Sequence, residues 1–250
     1  MIRPSFYFAV FGIVMLILPA VADDPLKITQ QLLDILLQLN KLGTSTEAAL
    51  QDLASHLESL KSQTVFGANY VRWGRTTCPS DNKLAYKGQA AGSSWKHPGG
   101  ASNFLCLTDE PQWGLYEEGA DSGAQVFGAE YEFKDFHPDK GSKYFKKDLN
   151  DHDAPCSVCQ TPRSSVLMIP GRNECFPGWT KEYSGYLVAG GKHHTSASEF
   201  ICLDGDAEKI LPGLGNTDGK VMYLVDAMCG TLRCPPYIQG RELTCVVCSK

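Results

Sequence analysis

The sequence predicts a mainly β fold: tandem duplicated, disulfide-rich β subdomains preceded by an α-helical coiled-coil segment. Three observations predict it: a cysteine framework occurs twice, short apolar runs broken by glycine and proline fill residues 64–250, and leucines at helical spacing mark residues 26–60. In the first copy Cys78 is followed eight residues later by Tyr86, then by Gly88, His97, Cys106 and the pair Cys156 and Cys159. In the second, Cys175 is followed eight residues later by Tyr183, then by Gly185, His194, Cys202 and the pair Cys245 and Cys248. Tyrosine and histidine are eleven residues apart in both copies, and Cys106 to Phe127 and Cys202 to Tyr223 are both twenty-one. That many equal intervals mark an internal repeat, each copy a folding unit stapled by its own cysteines.

Residues 1–22 read as a secretory signal peptide. Arg3 supplies the positive start, Phe6 to Leu18 is almost wholly apolar, and Ala20-Val21-Ala22 gives small residues for cleavage. The apolar run is too short for a membrane span, so the mature product is expected to carry none and to be secreted and extracellular. All ten cysteines lie beyond the leader, and an even number in an oxidising compartment implies five disulfides. The formal charge of −5 argues against nucleic acid, which needs a clustered basic surface.

Residues 23–63 form the expected coiled-coil or amphipathic helical oligomerisation segment. Leu32, Ile35, Leu39 and Leu42 alternate in threes and fours, and Leu50, Leu53, Leu57 and Leu60 do so again. The two stretches are out of phase across Gly43-Thr44-Ser45-Thr46, where Gly43 can end one helix and Thr44 with Glu47 can cap another. The pattern fits a continuous zipper of two or three chains, a helix broken at Gly43, or a helix laid on the following domain.

Residues 64–163 and 164–250 are the two β subdomains. Phe104 to Leu107, Val166 to Ile169, Phe200 to Leu203, Val221 to Val225 and Cys245 to Cys248 are apolar runs bounded by turn residues and read as buried strands. The two Cys-x-x-Cys pairs have the ligand type for tetrahedral zinc, but cystine is favoured where thiols are oxidised. Cys229 and Cys234, the extra pair of the second copy, are expected to bridge each other across the turn at Gly230.

The stretch Tyr70-Val71-Arg72-Trp73-Gly74-Arg75-Thr76-Thr77-Cys78-Pro79, with Leu84-Ala85-Tyr86-Lys87-Gly88, resembles the opening of the C-terminal non-collagenous domain of type IV collagen. Cys175-Phe176-Pro177-Gly178-Trp179, with Tyr183-Ser184-Gly185-Tyr186-Leu187, resembles the opening of its second copy. The resemblance covers roughly residues 69–250. It is nearer to the terminal domain of sponge short-chain collagens and related secreted invertebrate proteins, which carry sequences similar to Asp151-His152-Asp153-Ala154-Pro155-Cys156 and Gly240-Arg241-Glu242-Leu243-Thr244-Cys245. It implies the pairs Cys78–Cys159, Cys106–Cys156, Cys175–Cys248, Cys202–Cys245 and Cys229–Cys234. The first copy has no counterpart of the last pair. No run has glycine at every third residue, so no collagen triple helix can form.

The candidate ligand-binding residues are Trp95, His97, His193 and His194. Imidazoles titrate near neutrality and ligate metals, yet a repeated histidine is more simply a loop-holding hydrogen-bond partner, and no metal site is assigned. Trp95, in Ser93-Ser94-Trp95-Lys96-His97, is expected to be the most exposed tryptophan and could stack on sugar rings. No nucleophile elbow, metalloprotease helix motif or phosphate-binding glycine loop is present, so neither an enzyme nor a cofactor is expected. The expected function is that of a secreted extracellular-matrix or matrix-associated structural protein that self-associates as a dimer or trimer and binds neighbouring chains. Matrix proteins or glycans are the other expected partners. The alternative is a multivalent secreted lectin.

Overall fold

The apolar runs and their flanking turns fold as ten strands in a computed structural model that describes residues 51–56, 67–119, 123–134, 139, 141–213 and 215–250. The first half supplies β1 (Asn69–Trp73), β2 (Lys83–Gly92), β3 (Leu105–Thr108), β4 (Phe127–Tyr131) and β5 (Pro155–Gln160). The second supplies β6 (Val166–Pro170), β7 (Thr180–Ala189), β8 (Ile201–Asp204), β9 (Lys220–Leu224) and β10 (Thr244–Ser249). A short helix, α1 (Ser142–Phe145), buries Phe145 between the halves' aromatic rings.

The duplication is visible strand by strand. Long β2 pairs with β3, β4 and β5 and long β7 with β8, β9 and β10, while β1 adds to β5 and β6 to β10. Register is kept: Ala91 faces Gly128 and Val188 faces Leu224, each five residues after the repeated tyrosine. The repeated glycines have one cause. A Cβ on Gly88 would sit 1.5 Å from the Leu107 carbonyl oxygen, and one on Gly185 would sit 1.9 Å from that of Leu203, so only glycine lets these strands approach.

Five disulfides staple the halves: Cys78–Cys159 and Cys106–Cys156 in the first, Cys175–Cys248, Cys202–Cys245 and Cys229–Cys234 in the second. These are the pairs named from the resemblance, and no free cysteine remains for zinc. The halves share one core, in which Trp73, Tyr131 and Phe133 meet Val188, Leu203 and Met222. Two parallel contacts join them, β1 to β8 at Trp73 and Leu203, and β4 to β9 from Ala129 opposite Lys220 to Tyr131 opposite Met222.

The expected fold class needs one correction. No helix among the described residues reaches seven residues, far short of the three or four heptads of a coiled coil, so the fold is mainly β and disulfide-rich without that segment. The reason visible in the sequence is that the leucine spacing is interrupted at Gly43-Thr44-Ser45-Thr46, so no unbroken run of three or four heptads is offered. Within residues 23–63 only 51–56 are described, and they are helical; the rest, with the leader at 1–22, lie outside the described residues. No helix among the described residues is long and apolar enough to cross a membrane.

Candidate functional site

The repeated histidines follow β2 and β7 and do the same thing in each half. His97 packs edge-on against Phe127 at 5.5 Å between ring centroids, and His194 against Tyr223 at 5.4 Å. The equal intervals therefore place an imidazole on the aromatic residue of the neighbouring strand, a contact worth about 0.5–1.5 kcal/mol beyond area burial. Hydrogen bonds to the Trp95 backbone fix both loops: the Trp95 N–H donates to Gly219 O at 3.0 Å, and Ser196 N–H and the Thr195 hydroxyl donate to Trp95 O at 3.2 and 3.1 Å.

Trp95 is half-buried, not the most exposed tryptophan, because its ring lies 4.7 Å from that of His194 in the other half. Its covered face is closed to a sugar. Gly191 N–H donates to His194 Nδ1 at 3.2 Å, and burial holds that imidazole below the usual histidine range against the opposing pull of Asp218. His193 is exposed beside this stack. No group of three or more His, Cys, Asp or Glu side chains among the described residues is placed to hold a metal ion. Of the four candidates, Trp95 and His194 meet as a staple between the loops of the two halves, His97 packs within its own half, and His193 lies exposed.

No family model matches this chain. The geometry that bears on function is the joint between the halves, which the sequence reading did not pick out. At that joint Arg72 Nε meets Asp204 Oδ2 at 2.7 Å, and the Tyr183 hydroxyl lies 3.0 Å from Val71 O and 3.1 Å from Cys202 O. Arg75 reaches Asp206 at 2.7 Å and Glu208 at 3.2 Å. Beneath them the Glu182 carboxylate accepts from Tyr70, Asn82, Thr161, Arg163 and Ser249. Burial alone would raise its pKa, but the donors Ser249, Asn82, Arg163 and Tyr70 together hold it below the ordinary carboxylate range.

The same joint exists a second time with one side missing. The repeat equates β8 with β3 and β1 with β6. Yet among the described residues β3 pairs only with β2, and β6 ends the sheet beside β10. Ile201 and Leu203 on β8 are 5% and 0% exposed, whereas Leu105 and Leu107 at the matching places on β3 are 42% and 41%. Tyr86 bonds Cys106 O at 3.1 Å as Tyr183 bonds Cys202 O, but it is 41% exposed against 5% for its twin. Conversely Phe104 is buried at the joint and Phe200 is exposed. The Phe104 to Leu107 run, expected as a buried strand, carries a strand with an open face because no strand among the described residues covers it as β1 covers β8.

Proposed function

We propose that the chain is a secreted matrix or matrix-associated structural protein that assembles by repeating its internal joint between copies, with β6 of one copy meeting β3 of the next. The observation that carries this is the exposure of Leu105, Leu107, Tyr86 and Phe200, whose twins the joint buries. The residues that would meet are compatible. Arg72 and Asp204 are replaced by Ile169 and Thr108, so no charge would be buried without a partner, and Arg75 and Asp206 correspond to Arg172 and Glu110. Pro170, at the place of Trp73, has no N–H to give, so side-chain packing would dominate over a backbone ladder.

Covering the exposed parts of Leu105, Leu107 and Tyr86 would contribute about 1 kcal/mol each. The contact is heterologous, so copies would close into a ring when the rotation between them permits. The resemblance to the type IV collagen terminal domain, which nucleates collagen assembly, supports the same reading. Carbohydrate binding draws less support, since His194 covers the Trp95 ring. Native mass spectrometry and sedimentation velocity test the proposal. The chain should self-associate with concentration, and Leu107→Lys on the open edge should leave a folded monomer. A chain that is monomeric at the highest attainable concentration, or assembly unmoved by Leu107→Lys, would overturn it.

A further inference from the structure

The two halves carry loops of equal length after β3 and β8, for Gly123 and Gly219 each lie seventeen residues beyond Cys106 and Cys202. The second of these loops is clamped onto the first half. Glu208 N–H donates to Gly74 O at 2.6 Å, the Tyr131 hydroxyl to Glu208 O at 2.9 Å, Ile210 N–H to Asp153 O at 3.1 Å, and Asp153 N–H to Gly213 O at 3.0 Å. Lys209 Nζ, from the loop, donates to His152 Nε2 at 3.0 Å. The slot that receives the loop is thus made by Gly74, Tyr131, His152 and Asp153.

The twin of that slot lies on the surface of the second half. Gly171 matches Gly74, since both donate to the strand beyond, to Thr244 O at 2.7 Å and Pro155 O at 2.8 Å. Ala227 and Arg241 match Tyr131 and His152, as each pair is joined by the same backbone bond, and the bridge Asp226–Glu242 matches Glu130–Asp153. Gly171, Ala227, Arg241 and Glu242 line a groove of about 390 Å³, with Tyr237 and Leu243 on its walls. Gly74 is buried by its loop, while Gly171 is exposed.

We propose, building on the self-assembly reading above, that residues 109–119 of a second copy of this chain seat in this groove. The segment fits it in three ways. Trp113 is 80% exposed and Leu115 and Tyr116 are exposed beside it, an apolar tip on a chain whose equivalent loop is pinned down. Charge favours the contact at the rim: the segment carries Asp109, Glu110, Glu117 and Glu118, no lysine or arginine occurs from residue 97 to 133, and exposed Arg172 and Arg241 flank the groove, while the carboxylate in its lining, Glu242, is held by the Tyr144 hydroxyl. The pairing Lys209 with His152 becomes Trp113 with Arg241, which turns a hydrogen bond into a cation–π contact.

The test places a benzophenone photo-crosslinker at Trp113 in the full chain and maps the peptides it joins, alongside sedimentation of Trp113→Ser and Arg241→Glu. Seating in the groove gives intermolecular products on residues 236–244 and weakens self-association about tenfold for either variant, the effect of losing one large buried apolar side chain or its cationic partner. Assembly that persists unmoved by both variants, with crosslinks elsewhere, overturns the loop contact and leaves the edge contact standing. Crosslinks to residues 1–65 of the same copy overturn it in favour of an internal occupant. A chain that never associates overturns both proposals.

Discussion

Replacing Glu182 by alanine would remove the acceptor on which five donors converge, Tyr70 and Asn82 from the first half, Thr161 and Arg163 from the link, and Ser249 from the last strand. The carboxylate side chain is 2% exposed and the Arg163 guanidinium 24%, so water cannot take over most of the lost bonds. Breaking a buried pair of this kind costs about 3–5 kcal/mol because the partner charge and hydroxyls stay buried. For a folded unit of this size that corresponds to a fall in Tm of about 10 °C, read by calorimetry with the disulfides intact. The sign of the pH dependence follows from the lowered pKa. Stability from Glu182 is fully present above the ordinary glutamate value of about 4.3 and is lost as pH falls through the lower folded value. Glu182→Gln should therefore flatten the acid limb of the stability curve. A loss under about 1 kcal/mol for Glu182→Ala, or an unchanged acid limb for Glu182→Gln, would refute the idea that this carboxylate ties the halves together.

Removing disulfides in pairs should rank by loop length: Cys78→Ala with Cys159→Ala, which opens a span of 81 residues, should cost about 4 kcal/mol, and Cys229→Ala with Cys234→Ala, a span of 5, about 2, both measured by urea unfolding. Gly88→Ala should cost about 3 kcal/mol or more because its Cβ meets the Leu107 carbonyl, whereas Gly99→Ala, open on that side, should be near neutral. His194 should titrate by NMR below the ordinary value of about 6.5, so its contribution to stability is complete above that pH and declines as the solution is acidified through it. His97→Ala and His194→Ala should each destabilise by about 1 kcal/mol through the lost ring contact and leave zinc and copper uptake as in the parent chain.

The duplication was legible because its physical constraints fall on residue types that leave a mark. Cystines need paired cysteines, the close approach at Leu107 and Leu203 needs Gly88 and Gly185, and the edge-on ring contacts need His97 with Phe127 and His194 with Tyr223. The joint between halves was not legible, because it depends on where the copies have diverged. Glu182 has Ala85 as its counterpart and Arg72 has Ile169, and neither difference carries meaning until β1 is seen beside β8. Trp95 was misread for the same reason, as its cover comes from His194, ninety-nine residues away in the other half. The leucine pattern of residues 26–60 was a helical signal without tertiary information. Apolar runs alone could not separate β8, which is covered, from β3, which is open.

The most direct test of the repeated joint is sedimentation equilibrium of four full-length chains: the parent, Glu110→Arg, Arg172→Glu and the double variant. Arg75 and Asp206 stand 2.7 Å apart within the chain, so Arg172 and Glu110 should meet between copies in the same way. Each single change would place like charges together and should weaken association, while the double variant should recover it. If all four chains sediment alike, the copies do not meet through the twin of the internal joint.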